Sequence, residues 1–315
     1  MIPALVLSAG VGARLDPLTR LVAKPAVPLA GLTLVERAIG WLARAGVTDV
    51  VVNLHHRPET IAAVVGDGAG LGVRVRYSWE PRLLGSAGGP RHALPLLDAD
   101  TFLIVNGDTL VDFDLGGMIA AHEAHRADVT VAVIPNPRPD HYNGMEIDAD
   151  DRVTGFVLKG ERRPSWHFVG VQTVRAGVFE ALPDNVAAET VTGIYRDLVA
   201  ARPGALRAFR AGKSFLDVGT PRDNLDAALH LAAPAANAVE AGAEIDPAAH
   251  VARSVVWSGA RVAAGADLDG TVVAGGVDVP AGFRACGALL LPAAAARPGD
   301  RVETHGTFVT YRLDS

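Results

Sequence analysis

Between Leu7 and Pro25 the chain reads LSAGVGARLDPLTRLVAKP. Two close glycines, Gly10 and Gly12, lead to Arg14, and Lys24 stands between Ala23 and Pro25. Glycines at this spacing let a backbone curve tightly and turn its N–H groups toward an anion with no Cβ in the way. The fork of Arg14 and the point charge of Lys24 suit a polyphosphate held from two sides. Lysine is scarce: of 29 basic residues only Lys24, Lys159 and Lys213 are lysines, so one inside a glycine-rich segment stands out. Two familiar phosphate motifs fail here. Leu15 stands where the dinucleotide fingerprint needs its third glycine, and Arg207 where a P-loop ending Gly212-Lys213-Ser214 needs its first.

The elements that must position these residues alternate. Ala4–Leu7 is a short apolar run ending at the glycine loop, and residues 33–45 carry the helical spacing of Leu34, Ala38, Trp41 and Leu42 before Gly46. Strands are expected over 49–53, 73–77, 101–105 and 129–134, with helices over 59–65, 90–97, 118–125 and 224–233. Strands alternating with helices imply an α/β domain with a mixed, mostly parallel sheet, whose ligands gather at the carboxyl ends of strands. The Gly10 loop and Asp108, after the run TFLIV, both hold such positions. Alone, Asp108 reads as a turn residue and Asp217 as a helix cap.

Beyond residue 233 the pattern changes. Ile245, Val251, Val256, Val262, Leu268, Val273 and Val279 recur every six or five residues among glycines and alanines. Helices do not use that period; it predicts a short left-handed parallel β-helix, each flat face contributing one inward aliphatic residue. The expected division is therefore 1–233, catalytic, and 234–315, linker and β-helix.

With 315 residues, net charge −6 and pI near 5.9, the chain is not expected to bind nucleic acid or an anionic membrane wholesale. Cys286 is the only cysteine, so no internal disulfide forms and a cytoplasmic setting is expected. Its run ACGALLL predicts a buried, inert thiol. The opening MIPALVLSAG lacks a basic stretch and turns polar too early for a signal peptide. Lys213 reads as a surface residue, His55 and His56 as a polar loop without a third metal ligand, and His122 and His125 as one helix face.

The segment LSAGVGARLDPLTRLVAKPAVPLAG resembles the signature of sugar-1-phosphate nucleotidyltransferases, roughly L-[AG]-[AG]-G-x-G-x-R-L-x-P-L-T followed by P-K-P. LLGSAGG (83–89), VNGDTLVD (105–112) and FLDVGTP (215–221) resemble that family's later segments in the same order, and the tail is similar to the β-helix of many members. The resemblance implies a Rossmann-like nucleotide-diphospho-sugar transferase fold. It also implies transfer of a nucleotidyl group from an NTP, GTP or UTP favoured, to a sugar 1-phosphate. Arg14 would hold the departing pyrophosphate, Lys24 substrate phosphates, and Asp108 with Asp217 a Mg²⁺ ion. Leu7, Ala9, Gly10 and Gly12 would contact the nucleotide, with Glu80, Gly85 and Ser86 near the base. Gly144, beside Tyr142 and Asn143, together with Lys159 and Gly170, falls where the family places its sugar phosphate. Here Gly160 replaces the usual proline after the lysine, and Phe168-Val169-Gly170 the usual N-A-G, which leaves the sugar open. The tail and HFVGVQ resemble mannose-1-phosphate guanylyltransferase-like proteins, and residues 51–80 also resemble N-acetylmuramate-1-phosphate uridylyltransferases. A non-catalytic nucleotide-sugar sensor would be expected to have lost Arg14, Lys24, Asp108 or Asp217, and all four stand. A homo-oligomer through the tail is a further expectation.

Overall fold

The computed structural model describes residues 2–212 and 215–313; Lys213, expected at the surface, lies outside them. The chain forms two compact units. One comprises Met1–Gly10 with Val35–Leu216, the other Val11–Leu34 with Asp217–Ser315.

The first unit is built on a nine-stranded mixed sheet. Ala4–Leu7 lies at its centre, parallel to Asp49–Leu54 on one side and to Thr101–Asn106 on the other, and Arg74–Trp79 continues the parallel run. The order is reversed by Trp166–Arg175, antiparallel to both Thr101–Asn106 and Val129–Pro135. The central strands are apolar and deeply buried: Val6, Val50, Val51, Val52, Leu103 and Ile104 expose nothing. Strands covered on both faces read as continuous apolar runs.

Helix α1 (Leu34–Arg44), helix α2 (Pro58–Val65), helix α3 (Gly85–Leu97) and helix α4 (Leu115–His125) follow, with His122 and His125 both on α4. Helix α3 starts five residues before the expected Pro90, through the glycines of LLGSAGG. Those glycines meet a packing demand: a Cβ on Gly88 would stand 2.4 Å from the Val186 carbonyl oxygen. No helix among the described residues is long and apolar enough to cross a membrane.

The second unit joins the segment 11–34 to the tail. A helix, Pro221–Ala232, opens with a reciprocal cap between Thr220 and Asp223. Three parallel sheets follow, and each strand pairs with one 17 residues on, as in Ala238 to Val255 to Val272. Ile245, Val251, Val256, Val262, Leu268, Val273 and Val279 all join one apolar core, as the six-or-five period predicts. A β-hairpin, Glu303–His305 with Phe308–Arg312, closes the stack against Ala288–Pro292. Cys286, expected to be buried, is exposed. In the register of its sheet Ala285 follows Val251 and Leu268 inward, which turns Cys286 outward beside Asp269.

Candidate active site

The residues singled out by type and spacing fall in both units. In the first unit the strand Ala4–Leu7 ends where the chain must turn, and a buried polar chain fixes that turn. The Ser8 N–H donates to Asn53 Oδ1 at 2.6 Å, and Asn53 Nδ2 donates to Glu80 Oε1 at 2.7 Å. Glu80 Oε2 accepts the Leu84 N–H at 2.9 Å, one residue before helix α3. Ser8, Asn53 and Glu80 expose 3% or less. A buried carboxylate with both oxygens hydrogen-bonded is tolerated where an unpaired one would not be. The Glu80 side chain thus acts inside the protein, ordering the loop at Ser8 and the start of α3. Gly89 makes room for it, since a Cβ there would lie 2.7 Å from Glu80 Oε1. His55 Nδ1 sits 2.9 Å from the Glu80 carbonyl oxygen, in a polar loop as expected.

Gly85 has φ +74°, and a Cβ on it would meet Glu189 Oε1 at 2.5 Å, so no other residue fits the turn into α3. The Ser86 hydroxyl donates to Glu189 Oε2 at 2.5 Å and accepts the Thr190 N–H at 2.8 Å. Ala9 is buried and Gly10 exposed at the loop tip. The Gly107 N–H donates to the Leu7 carbonyl at 2.9 Å, which sets Asp108, half-buried, just past the strand beside the one carrying the loop.

The residues expected at the sugar phosphate do not share one environment. Gly144 is buried against Ser165, and Gly170 (φ +82°) packs on the Asn106 amide at a break in strand register. Lys159 is exposed, its N–H donating to Asn143 Oδ1 at 3.0 Å. Near Asn143, Tyr142 stacks on His167 with ring centres 4.3 Å apart, and Phe215 meets His167 edge-on at 5.1 Å.

In the second unit, Gly12 (φ +62°) lies directly on Lys24: a Cβ there would stand 2.8 Å from the Lys24 Cβ and 2.9 Å from Thr19 Cγ2. Lys24 is 7% exposed, held in a turn between Ala23 and Pro25. Arg14 is well exposed, and its Nη1 lies 3.9 Å from Asp217 Oδ2. Gly219 keeps that space open, since a Cβ on it would fall 2.8 Å from Arg14 Nη1. The glycine loop and the DVGTP segment therefore meet, placing a guanidinium and a half-buried carboxylate side by side. Among the described residues no three His, Cys, Asp or Glu side chains gather as a complete metal cage. Separate carboxylates of hard oxygen donors suit an ion that keeps waters and substrate oxygens in its shell.

Spacing alone gives no sign of Glu189 or Thr190. Asn53 had a faint signal, a polar residue ending the apolar run VVVN.

Residues 3–233 match the nucleotidyl transferase family. The chain is 30% identical over 223 residues to the mannose-1-phosphate guanylyltransferase of Mycobacterium tuberculosis, which covers 70% of this chain and 62% of that protein. It is 43% identical over 197 residues to the N-acetylmuramate alpha-1-phosphate uridylyltransferase of Neisseria meningitidis serogroup B, 51% of this chain and 85% of that one. The HddC protein of Yersinia pseudotuberculosis, solved in complex with GMP-PN, shares the fold. Its TM-score is 0.64 at 23% identity, over 73% of this chain and 100% of that one. The chain thus spans 62% of the length of the guanylyltransferase it matches. On the family match over residues 3–233, the chain belongs to the nucleotidyl transferase family.

Proposed function

We propose that this chain is an enzyme transferring a nucleotidyl group from an NTP to a sugar 1-phosphate, with guanylyl transfer to mannose 1-phosphate as the first reading. The observation that carries the reaction class is the meeting of Arg14 with Asp217 in the unit where Gly12 packs on Lys24. A phosphate oxygen of the sugar 1-phosphate attacks the α-phosphorus in line. The bond from that phosphorus to the α–β bridging oxygen breaks, and its electron pair leaves with pyrophosphate. Such a reaction needs alignment and charge neutralisation more than covalent help. Arg14 neutralises the leaving pyrophosphate and Lys24 the substrate phosphates, while Leu7, Ala9, Gly10 and Gly12 present backbone to the nucleotide.

Nucleotidyltransferases of this family generally work with a divalent metal, and the proposal takes it to be Mg²⁺ with Asp108 and Asp217 as ligands. When bound, the ion offsets charge on the phosphates of both substrates. Glu80, Gly85 and Ser86 shape the base side, Glu80 through Asn53 and Leu84. For the sugar phosphate the reading keeps Gly144, Lys159 and Gly170 on the family resemblance, with the stacked rings of Tyr142 and His167 beside Asn143. The 43% identity to the uridylyltransferase supports a second reading, uridylyl transfer to N-acetylmuramate 1-phosphate.

The proposal includes a cytoplasmic setting, supported by the single cysteine. It also includes a homo-oligomer through the tail, an expectation that comes from the sequence resemblance alone. Sedimentation of the full chain as a monomer at ten-micromolar concentration would remove the oligomer.

Pyrophosphate release, measured with Mg²⁺ across five NTPs and a panel of sugar 1-phosphates, tests the reaction, with Asp108→Asn as control. One productive pair, silent in the variant, establishes it and names both substrates. No release from any pair, with nucleotide-sugar binding seen by calorimetry, defeats the reading.

A further inference from the structure

The segment 11–34 carries Arg14 and Lys24, and within its unit it is tied to the tail at separate points. Arg20 is the centre of the strongest tie. Its side chain is 9% exposed, and all three guanidinium nitrogens donate hydrogen bonds. Nε and Nη2 donate to the two oxygens of Asp16 at 2.8 and 2.5 Å, bracing the turn of the segment itself. Nη1 donates to Asp300 Oδ2 at 2.5 Å, to the Ala295 carbonyl at 3.1 Å and to the Tyr311 hydroxyl at 3.1 Å. Tyr311 donates in turn to Asp300 Oδ2 at 2.6 Å, and the Arg297 N–H reaches the same oxygen at 2.7 Å.

Two further ties hold the other end. Glu240, 8% exposed and in the first coil, accepts the Gly31 N–H with both carboxylate oxygens, at 3.1 and 2.9 Å. Asn224, fully buried, donates to the Pro28 carbonyl at 3.3 Å. A bidentate arginine braced by a tyrosine is a geometrically specific contact, unlike a single exposed ion pair. Burial and the neighbouring Asp300 push the Tyr311 hydroxyl up to about 12, so Tyr311 keeps its donor proton across the neutral range.

We propose that Arg20, Asp300 and Glu240 are positioning residues of the transfer reaction, through which the β-helix tail sets the place of the segment that presents Arg14 and Lys24. They touch no reacting atom. The inference rests on the proposed phosphate-binding roles of Arg14 and Lys24. Its substance is that the tail is part of the catalytic apparatus. Small misplacement of charged groups suffices for large effects, since a shift of about 1 Å can cost on the order of 100-fold in rate.

The test uses the 315-residue chain in the pyrophosphorolysis direction, at temperatures well below every melting point. Asp300→Asn keeps shape and the Tyr311 hydrogen bond but removes the charge facing Arg20. The expected result is a KM for pyrophosphate raised roughly tenfold, a kcat reduced roughly tenfold, and a KM for the nucleotide sugar changed much less. Asp300→Glu is expected to recover part of the loss. Arg20→Lys, which cannot bridge Asp16 and Asp300 bidentately, is expected to reproduce the Asn phenotype and stands in if that variant fails to fold. Arg253→Ala, which removes a surface ion pair with Asp269 elsewhere on the tail, is expected to leave all constants unchanged. Variants that melt earlier yet keep wild-type KM and kcat would overturn the inference and leave the tie merely structural. A wild-type protein inactive with every substrate pair would instead fail the parent reading, before any variant is compared.

Discussion

Arg14 Nη1 and Asp217 Oδ2 stand 3.9 Å apart, joining the first and last motifs of the nucleotidyltransferase pattern within one unit. The Arg14 side chain is 59% exposed, so solvent screens its end of the pair and the guanidinium contributes little to folding, about 0–1 kcal/mol. Function and stability should therefore separate. Arg14→Ala is expected to shift the melting temperature by no more than about 3 °C, while pyrophosphate release falls on the order of 100- to 1,000-fold. Calorimetric melting beside a release assay checks this, and a large melting shift with activity retained would contradict it.

Gly12 is the residue at which the loop can least accept change. Its φ of +62° disfavours a side chain, and the added Cβ would collide with Lys24 Cβ and Thr19 Cγ2, atoms close to the backbone rather than flexible ends. Gly12→Ala is expected to lose about 1–3 kcal/mol by combined strain and overpacking and to displace Lys24. Nucleotide affinity by calorimetry should fall at the same time. A stable variant with unchanged affinity would show that the contact relaxes freely.

Removing Asn53 would orphan two groups at once, the Ser8 N–H and one Glu80 oxygen. Asn53→Ala is expected to cost about 2–4 kcal/mol by denaturant titration, given the desolvation penalty of buried unpaired groups. The loop at Ser8 and the start of α3 should loosen together, read as faster amide exchange at Ser8 and Leu84 with the centre of the sheet unaffected.

His122 gives the fold a sign for its pH dependence. Burial, helped by the charge of Arg175 and opposed by Asp128, lowers its pKa to about 4. Its Nδ1 stands 2.9 Å from Thr130 Oγ1, and its Nε2 is buried without a hydrogen-bond partner. An unfolded chain takes up this proton near pH 6.5 and the folded one only near 4. The contribution is therefore present above about 6.5 and lost as pH falls to about 4, on the order of 2–3 kcal/mol in all. Denaturant midpoints of wild type and His122→Gln, compared from pH 7 to 4.5, should converge as pH falls. Parallel curves would refute the assignment.

The sequence disclosed periodicity and motif chemistry well and long-range packing poorly. Ala4–Leu7 and the aliphatic ladder from Ile245 to Val279 were legible because each strand or face repeats a local demand. The outward turn of Cys286 was hidden by its apolar neighbours, although the phase of Val251 and Leu268 implies it. Helix α3 begins before its expected start because its glycines, a loop signal in sequence, here admit Val186 and Glu80 against the helix. Glu80 carried a motif position but not its direction, which depends on Asn53 from another strand. Least legible were the partners of Arg20: an arginine in LTR says nothing of an aspartate near the far end of the chain.

The 17-residue coil has a consequence for how such a chain can change length. Glu240 grips Gly31 from the first coil, and Asp300 grips Arg20 from beyond the last. Neighbouring coils stack at the strand spacing of about 4.8 Å. Losing one residue would dephase a face, whereas losing or gaining a whole coil would keep every face in phase yet move one grip by that step relative to the other. The coil count thus works as a caliper, its jaws set to the length of the loop they clasp.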